Sequence, residues 1–138
     1  MTDSAGSAGN PYAPRLVAAG QTFDVIEIDA RLGREVVKHL RAAGVRVGPV
    51  IHDRRCAKMG FLVPVTSPAR TRLRDHRGPS RHGLGAWVTF PPPRGETGSL
   101  VWFVPPTENA IPTPLAPLDT AIIRAAATLI EHGRAPKE

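Results

Sequence analysis

Glu27 and Asp29 are two acidic residues, two positions apart, that could together bind a metal ion or take part in catalysis. They lie at the end of an apolar run that is typical of a strand, and residues two apart on a strand point to the same side. Two carboxylates so placed could converge on one divalent cation, since hard oxygen ligands suit Mg²⁺ and Mn²⁺. The simpler interpretation is that Asp29 only caps the helix that follows it and that Glu27 lies on a solvated face. Spacing alone favours this simpler interpretation.

Positively charged residues form the second set of candidate functional residues. The chain of 138 residues has 18 Lys and Arg against 12 Asp and Glu, a formal net charge of +6. The planar guanidinium suits phosphate, but a GC-rich genome would produce the same excess of arginine, so placement is more informative than number. The candidate nucleic-acid-binding residues, in a predicted turn and a predicted loop, are Arg54, Arg55, Lys58, Arg70, Arg72, Arg74, Arg77 and Arg81. Solvated loop charges are an equally good account of this cluster.

Aromatic side chains suited to stacking on nucleic-acid bases are few. Trp87 and Trp102 are the best candidates. Both lie in predicted strands, so burial in the core is about twice as good an account of either ring.

Composition excludes several other classes of protein. An apolar share of 41% and a charged share of 22% are typical of a globular chain, and this length allows one core. The single cysteine, Cys56, excludes a disulfide framework and a multi-cysteine zinc site. No apolar run is long enough for a membrane span and the first residues have no secretory pattern, so we expect a cytoplasmic protein without membrane contact.

The periodicity of the apolar residues predicts a single α+β domain over 21–134. A strand over 22–28 leads into a helix that begins at Asp29 and ends near Gly44. The remaining predicted elements are a leader over 1–20, a hairpin of 45–51 and 57–65 with a basic tip, an arginine-rich loop over 66–83, strands over 84–90 and 99–104, a helix over 118–132 and a tail over 135–138. This order favours a small, mostly antiparallel or mixed sheet of about five strands with two helices packed on it. The leader is expected to be flexible.

Four stretches of the chain resemble a known family. They are FDVIEIDA at the first strand, LRAAG at the end of the first helix, VRVGPVIHDRRCAKMGFLVPV across the hairpin and GLGAWVTFPPP near the next strand. Over residues 22–106 the chain resembles the core of the bifunctional DNA primase/polymerase domain, the prim-pol branch of the archaeo-eukaryotic primases, and is similar to short, divergent actinobacterial versions. The resemblance implies a prim-pol-like core, Mg²⁺ or Mn²⁺ as the cofactor of an active member, and nucleic acid as the partner, DNA in preference to RNA.

The site residues that the family implies are only partly present. An Asp-x-Asp, a Ser-x-His and a third Asp bind two metals and the incoming nucleotide in the family. Glu27 and Asp29 match the first motif with one Asp lengthened to Glu, and Lys58 stands where the histidine is expected. Ser80 lies about where the third Asp should be, unless extra residues separate Asp75, in the stretch DHRG, from the next strand.

The leading hypothesis is a catalytically degenerate prim-pol-like domain, associated with replication or regulation, that binds nucleic acid or nucleotide through its basic turn and loop. The first alternative is an active metal-dependent nucleotidyltransferase that uses Glu27, Asp29 and Asp75 with Mg²⁺ or Mn²⁺. The second alternative is a protein-interaction or regulatory scaffold, in which the proline-rich segment 105–117 or an exposed sheet edge binds a partner chain.

Overall fold

The computed structural model of the chain describes residues 13–65, 79–93, 98–107 and 111–134. Within these residues the chain forms seven strands and two helices. In chain order they are β1 (Arg15–Ala18), β2 (Asp24–Asp29), α1 (Ala30–Ala42), β3 (Val50–Asp53), β4 (Lys58–Val63), β5 (Ser80–His82), β6 (Trp87–Phe90), β7 (Leu100–Val104) and α2 (Leu115–Arg134). The predicted α+β class, with two helices and a sheet of five antiparallel strands, is confirmed.

Five strands form one sheet in the order β5-β2-β4-β3-β7, and every neighbouring pair is antiparallel. Because β2 and β3 are both antiparallel to β4, they run parallel to each other, and α1 is part of the connection between them. β4 forms a hairpin with β3, as the two apolar runs predict. Asp29, Lys58 and Asp53 consequently lie side by side in a row across β2, β4 and β3.

α1 begins and ends where its sequence predicts. The Asp29 carboxylate accepts a hydrogen bond of 3.0 Å from the backbone N–H of Arg31, which makes Asp29 the N-cap. Val36 and Leu40 are buried in the core. Gly44 has a φ of +76°, the left-handed conformation that ends a helix at no steric cost to glycine. Because Asp29 is both the last residue of β2 and the N-cap, the helix begins directly at the end of that strand.

The larger core cluster joins the two helices to one face of the five-stranded sheet. Its largest fully buried side chains include Phe61 and Met59 from β4, Leu40 from α1 and Leu118 from α2. α1 approaches β4 closely at Gly33, where a Cβ would lie 2.9 Å from the Cβ of Met59. This packing fixes the position of α1 against the sheet, so a side chain could not be added at this point without a shift of the backbone.

A two-stranded sheet of β1 and β6 packs on the opposite face. The ring of Phe90 on β6 contacts those of Phe23 and Trp102, with centroids 5.5 and 5.2 Å away. The predicted leader over 1–20 is therefore too long, because Arg15–Ala18 pairs with β6 along its whole length. Four residues are too few for their alternation to distinguish a strand from an irregular segment.

Other element boundaries differ from the prediction by a few residues. β2 starts at Asp24, β6 starts at Trp87, and α2 starts at Leu115. Pro117 suggests a later start for α2, but proline is tolerated in the first turn of a helix, where its missing N–H has no partner to lose. β5 was not predicted, since its three residues lie in the region interpreted as a loop. Residues 66–78 of that loop lie outside the described residues.

Candidate functional site

The turn between β3 and β4, residues 54–57, lies at the centre of the candidate site. The Asp53 carboxylate accepts a hydrogen bond of 3.2 Å from the backbone N–H of Cys56, which stabilises the turn. The carbonyl of Ala57 accepts the backbone N–H of Ala30 at 2.8 Å. The turn is thereby joined to the first residue of α1, and side chains of both elements contribute to one surface.

The basic surface consists of five exposed cations around this turn: Arg31, Arg34, Arg54, Arg55 and Lys58. The last three were predicted from the sequence as the candidate nucleic-acid-binding residues of the turn. Arg31 and Arg34 were not predicted as binding residues, although their spacing of three at the start of a helix places both on one side of it. That spacing is the feature of the sequence from which the two arginines could have been predicted to belong to one surface.

The cations of the basic surface have few partners within the described part of the chain. Arg54 is held by the two residues that precede β7, because its backbone N–H donates to the Ser99 carbonyl at 2.7 Å and its Nη1 to the Gly98 carbonyl at 3.0 Å. Asp29 and Asp53, the nearby acids, accept backbone N–H groups instead of guanidinium groups. Among the described residues, none of the five cations has an ion-pair partner.

A polar groove of about 200 Å³ lies on the side of the turn away from α1, between the five-stranded sheet and β6. The charged and aromatic side chains that line the polar groove are Glu27, Asp53, Lys58, His82 and Trp87. Glu27 and His82 come from neighbouring strands, and Glu27 Oε1 lies 3.4 Å from His82 Nε2. Gly60 lies directly opposite Glu27 on β4, so the nearest charged side chain of β4 at this carboxylate is that of Lys58, two residues before it.

Glu27 and His82 change the pKa of each other. The hydrogen bond with His82 lowers the pKa of the Glu27 carboxyl below 4.5, although partial burial opposes this shift. The same hydrogen bond raises the pKa of the His82 imidazole above 6.5, again against burial. The pair is therefore strongest when Glu27 is ionised and His82 is protonated.

The Glu27–His82 pair should stabilise the fold most between pH 4.5 and 6.5. The contribution of His82, whose pKa is raised on folding, is complete below 6.5 and is lost as the pH rises through its folded-state pKa. The contribution of Glu27, whose pKa is lowered, is complete above 4.5 and is lost as the pH falls through its folded-state pKa. We expect the loss of unfolding free energy in His82→Gln, measured by urea titration, to be largest in this window. A loss of the same size at all pH values would contradict the pairing.

Glu27 and Asp29 lie on the same face of β2, as their spacing predicts, but each has a local partner. Asp29 caps α1 as predicted, and the metal-binding role of both acids stays a prediction. Asp75 lies outside the described residues. Among the residues that are described, no group of three His, Cys, Asp or Glu side chains could hold a metal ion.

Arg81 is not a surface cation. Its Nη2 and Nε lie 2.7 and 3.0 Å from Asp24 Oδ2, and the two side chains are only 5% and 3% exposed. A guanidinium so enclosed has no access to a phosphate, and Arg81 is therefore removed from the candidate nucleic-acid-binding residues. The remaining cations of the predicted loop, Arg70, Arg72, Arg74 and Arg77, lie outside the described part of the chain.

The two tryptophans have different environments. Trp102 packs against the second core cluster with its ring edge-on to Phe90, as a core role predicts. Trp87 is 67% exposed and lines the polar groove, so the core role predicted for it is wrong. Its strand belongs to the small sheet, and a strand pattern alone does not reveal that one side of such a sheet is uncovered.

Comparisons of the chain with protein-family models, with curated proteins and with solved structures give no match. Within the described residues, no helix is both long and apolar enough to cross a membrane. Function is therefore inferred from the residues of this chain and from their geometry.

Proposed function

We propose that the chain is a prim-pol-like domain that binds nucleic acid through the basic surface and does not itself catalyse nucleotidyl transfer. The observation that carries this proposal is the grouping of five exposed cations, contributed by α1, by the β3–β4 turn and by the first residue of β4, without ion-pair partners among the described residues. Unpaired cations on one surface attract the phosphates of a nucleic acid, and their binding releases the counterions that were condensed on the nucleic acid.

The order of the elements around the turn supports nucleic acid as the ligand. The basic surface extends around the turn from α1 to the polar groove, since Arg54 lies toward α1 and Lys58 lines the groove. The exposed ring of Trp87 lies at the same groove and offers a face on which a base can stack. A nucleic-acid strand that crosses the turn would therefore meet cations that can contact its phosphates and an aromatic ring on which a base can stack.

Binding without catalysis is supported by the partners of the two acids that the family uses for metals. Asp29 accepts a backbone N–H of α1, and Glu27 contacts His82. Lys58 lies in the row of Asp29 and Asp53, where it adds a cation to the acids and not a metal ligand. These contacts favour a site that attracts phosphate over a site that attracts two metal ions.

Salt dependence tests the proposal directly. If three phosphates are contacted, we expect the affinity for a short DNA duplex to fall about 40-fold as salt rises from ~50 to ~200 mM, and the affinity for a single strand to fall about 20-fold. The measurement is fluorescence anisotropy with labelled oligonucleotides. An affinity that does not change with salt would count against phosphate contacts. A stable protein partner that co-purifies without nucleic acid would favour the scaffold alternative.

A further inference from the structure

A shallow depression of about 580 Å³ lies at the N-terminal end of α1, on the opposite side of the turn from the polar groove. It is called the α1 depression, and its lining residues are Asp29, Ala30, Arg31, Arg34, His52, Arg54 and Ala57. Three guanidinium groups and one carboxylate therefore surround it. The carboxylate of Asp29 is already bonded to the backbone N–H of Arg31, so the depression has an excess of positive charge.

His52 gives the α1 depression a polar group that is almost enclosed by protein. Its side chain on β3 is only 8% exposed, and its ring lies edge-on to Phe103 with the centroids 6.2 Å apart. Among the described residues it has no hydrogen-bond partner. Its ring N–H can therefore donate to an acceptor bound in the α1 depression.

The protonation state of His52 suits an anionic acceptor. Burial, followed by the charges of Arg34 and Arg54, lowers the pKa of His52 below 6.5. At neutral pH the ring is therefore uncharged and presents one N–H donor to a ligand. The guanidinium groups supply the charge, and the imidazole supplies a directed hydrogen bond from the enclosed side of the depression.

We propose that the α1 depression binds a terminal phosphate group, held by Arg31, Arg34 and Arg54 and by a hydrogen bond from His52. A terminal phosphate has three free oxygens and two negative charges, so it can reach an enclosed donor while it meets several guanidinium groups. A phosphodiester inside a strand has only two free oxygens and is flanked by sugars. The inference rests on the proposed function to the extent that it identifies the ligand as the phosphorylated end of a nucleic acid.

The test compares one single-stranded DNA oligonucleotide in three forms, with a 5′-phosphate, with a 3′-phosphate and with neither, at constant ionic strength. We expect one phosphorylated form to bind about tenfold more tightly than the unphosphorylated form, the effect of one hydrogen bond to a charged group. His52→Phe keeps an aromatic ring beside Phe103 and removes the N–H, so it should bring this ratio close to one. Because a core variant can fail to fold, Arg34→Gln at an exposed position tests the same site.

Arg41→Gln is the matched control, since Arg41 is an exposed arginine at the other end of α1. It should leave the ratio between the phosphorylated and unphosphorylated oligonucleotides unchanged. A wild-type ratio of one, with salt-dependent binding of all three forms, would overturn the phosphate site and leave the proposed function intact. If no oligonucleotide binds but inorganic phosphate or dAMP raises the Tm of the wild type and not of Arg34→Gln, the site takes a free phosphate compound and the proposed function fails. If none of these probes binds, both proposals fail.

Discussion

Asp24→Ala is expected to lower the free energy of unfolding by about 3–5 kcal/mol, because it leaves the Arg81 guanidinium buried without its counter-ion. Arg81 donates from both Nε and Nη2 to Asp24 Oδ2, and its Nη2 also lies 3.4 Å from the Pro64 carbonyl. The second carboxylate oxygen, Oδ1, is buried and has no hydrogen-bond partner among the described residues. The pair joins β5 to β2, so the loss should be seen in the global unfolding transition, measured by urea titration at neutral pH.

Two variants separate charge from packing in this result. The double variant Asp24→Leu/Arg81→Met replaces the ion pair with apolar side chains, and such replacements in proteins are often neutral or stabilising. We expect it to recover most of the stability that Asp24→Ala loses. Glu35→Gln removes one partner of an exposed pair with Lys38, which is 73% exposed, and should cost less than about 1 kcal/mol. If Asp24→Leu/Arg81→Met is as unstable as Asp24→Ala, the loss of unfolding free energy comes from packing and not from charge.

The elements that could be predicted from the sequence are those with strong local signals. α1 has an N-cap, an apolar face and a C-terminal glycine in consecutive order, and the structure contains all three. The β3–β4 hairpin follows from two neighbouring apolar runs. The small sheet could not be predicted, because Arg15 pairs with Phe90, and no local pattern links residues so far apart in the chain. The three residues of β5 are too few to show an alternating pattern.

Candidate residues were predictable from the sequence only where their role is local. The capping role of Asp29 depends on the next few residues and was predicted. Arg81, by contrast, looks like one more loop cation, and only the position of Asp24 on the neighbouring strand shows that it is neutralised and enclosed. His52 lies in a basic stretch of the sequence, yet the strand places its ring beside Phe103 and leaves the residue only 8% exposed. Burial is a property of the packed fold, so these two residues could not be assigned from spacing.

Neutralising the turn is expected to change both the strength and the salt dependence of nucleic-acid binding. The triple variant Arg54→Gln/Arg55→Gln/Lys58→Gln removes three cations that have no ion-pair partner among the described residues. Each phosphate contact contributes about 0.9 to the slope of log K against log salt on duplex DNA, so the slope should become shallower by about 2.7 if each of the three cations contacts one phosphate. The measurement is fluorescence anisotropy across a salt series, with thermal melting to confirm that the variant is folded.

The control for this prediction removes the same charge from the other end of the molecule. Arg41, Arg46 and Arg124 are exposed, and they lie at the end of α1, in the segment after it and on α2. Their triple exchange for Gln also lowers the formal net charge from +6 to +3. Since counterion release depends on which cations touch phosphates, the control should keep most of the wild-type slope. Equal loss of slope in both triple variants would mean that binding follows total charge, and the turn would then have no special role as a phosphate-binding surface.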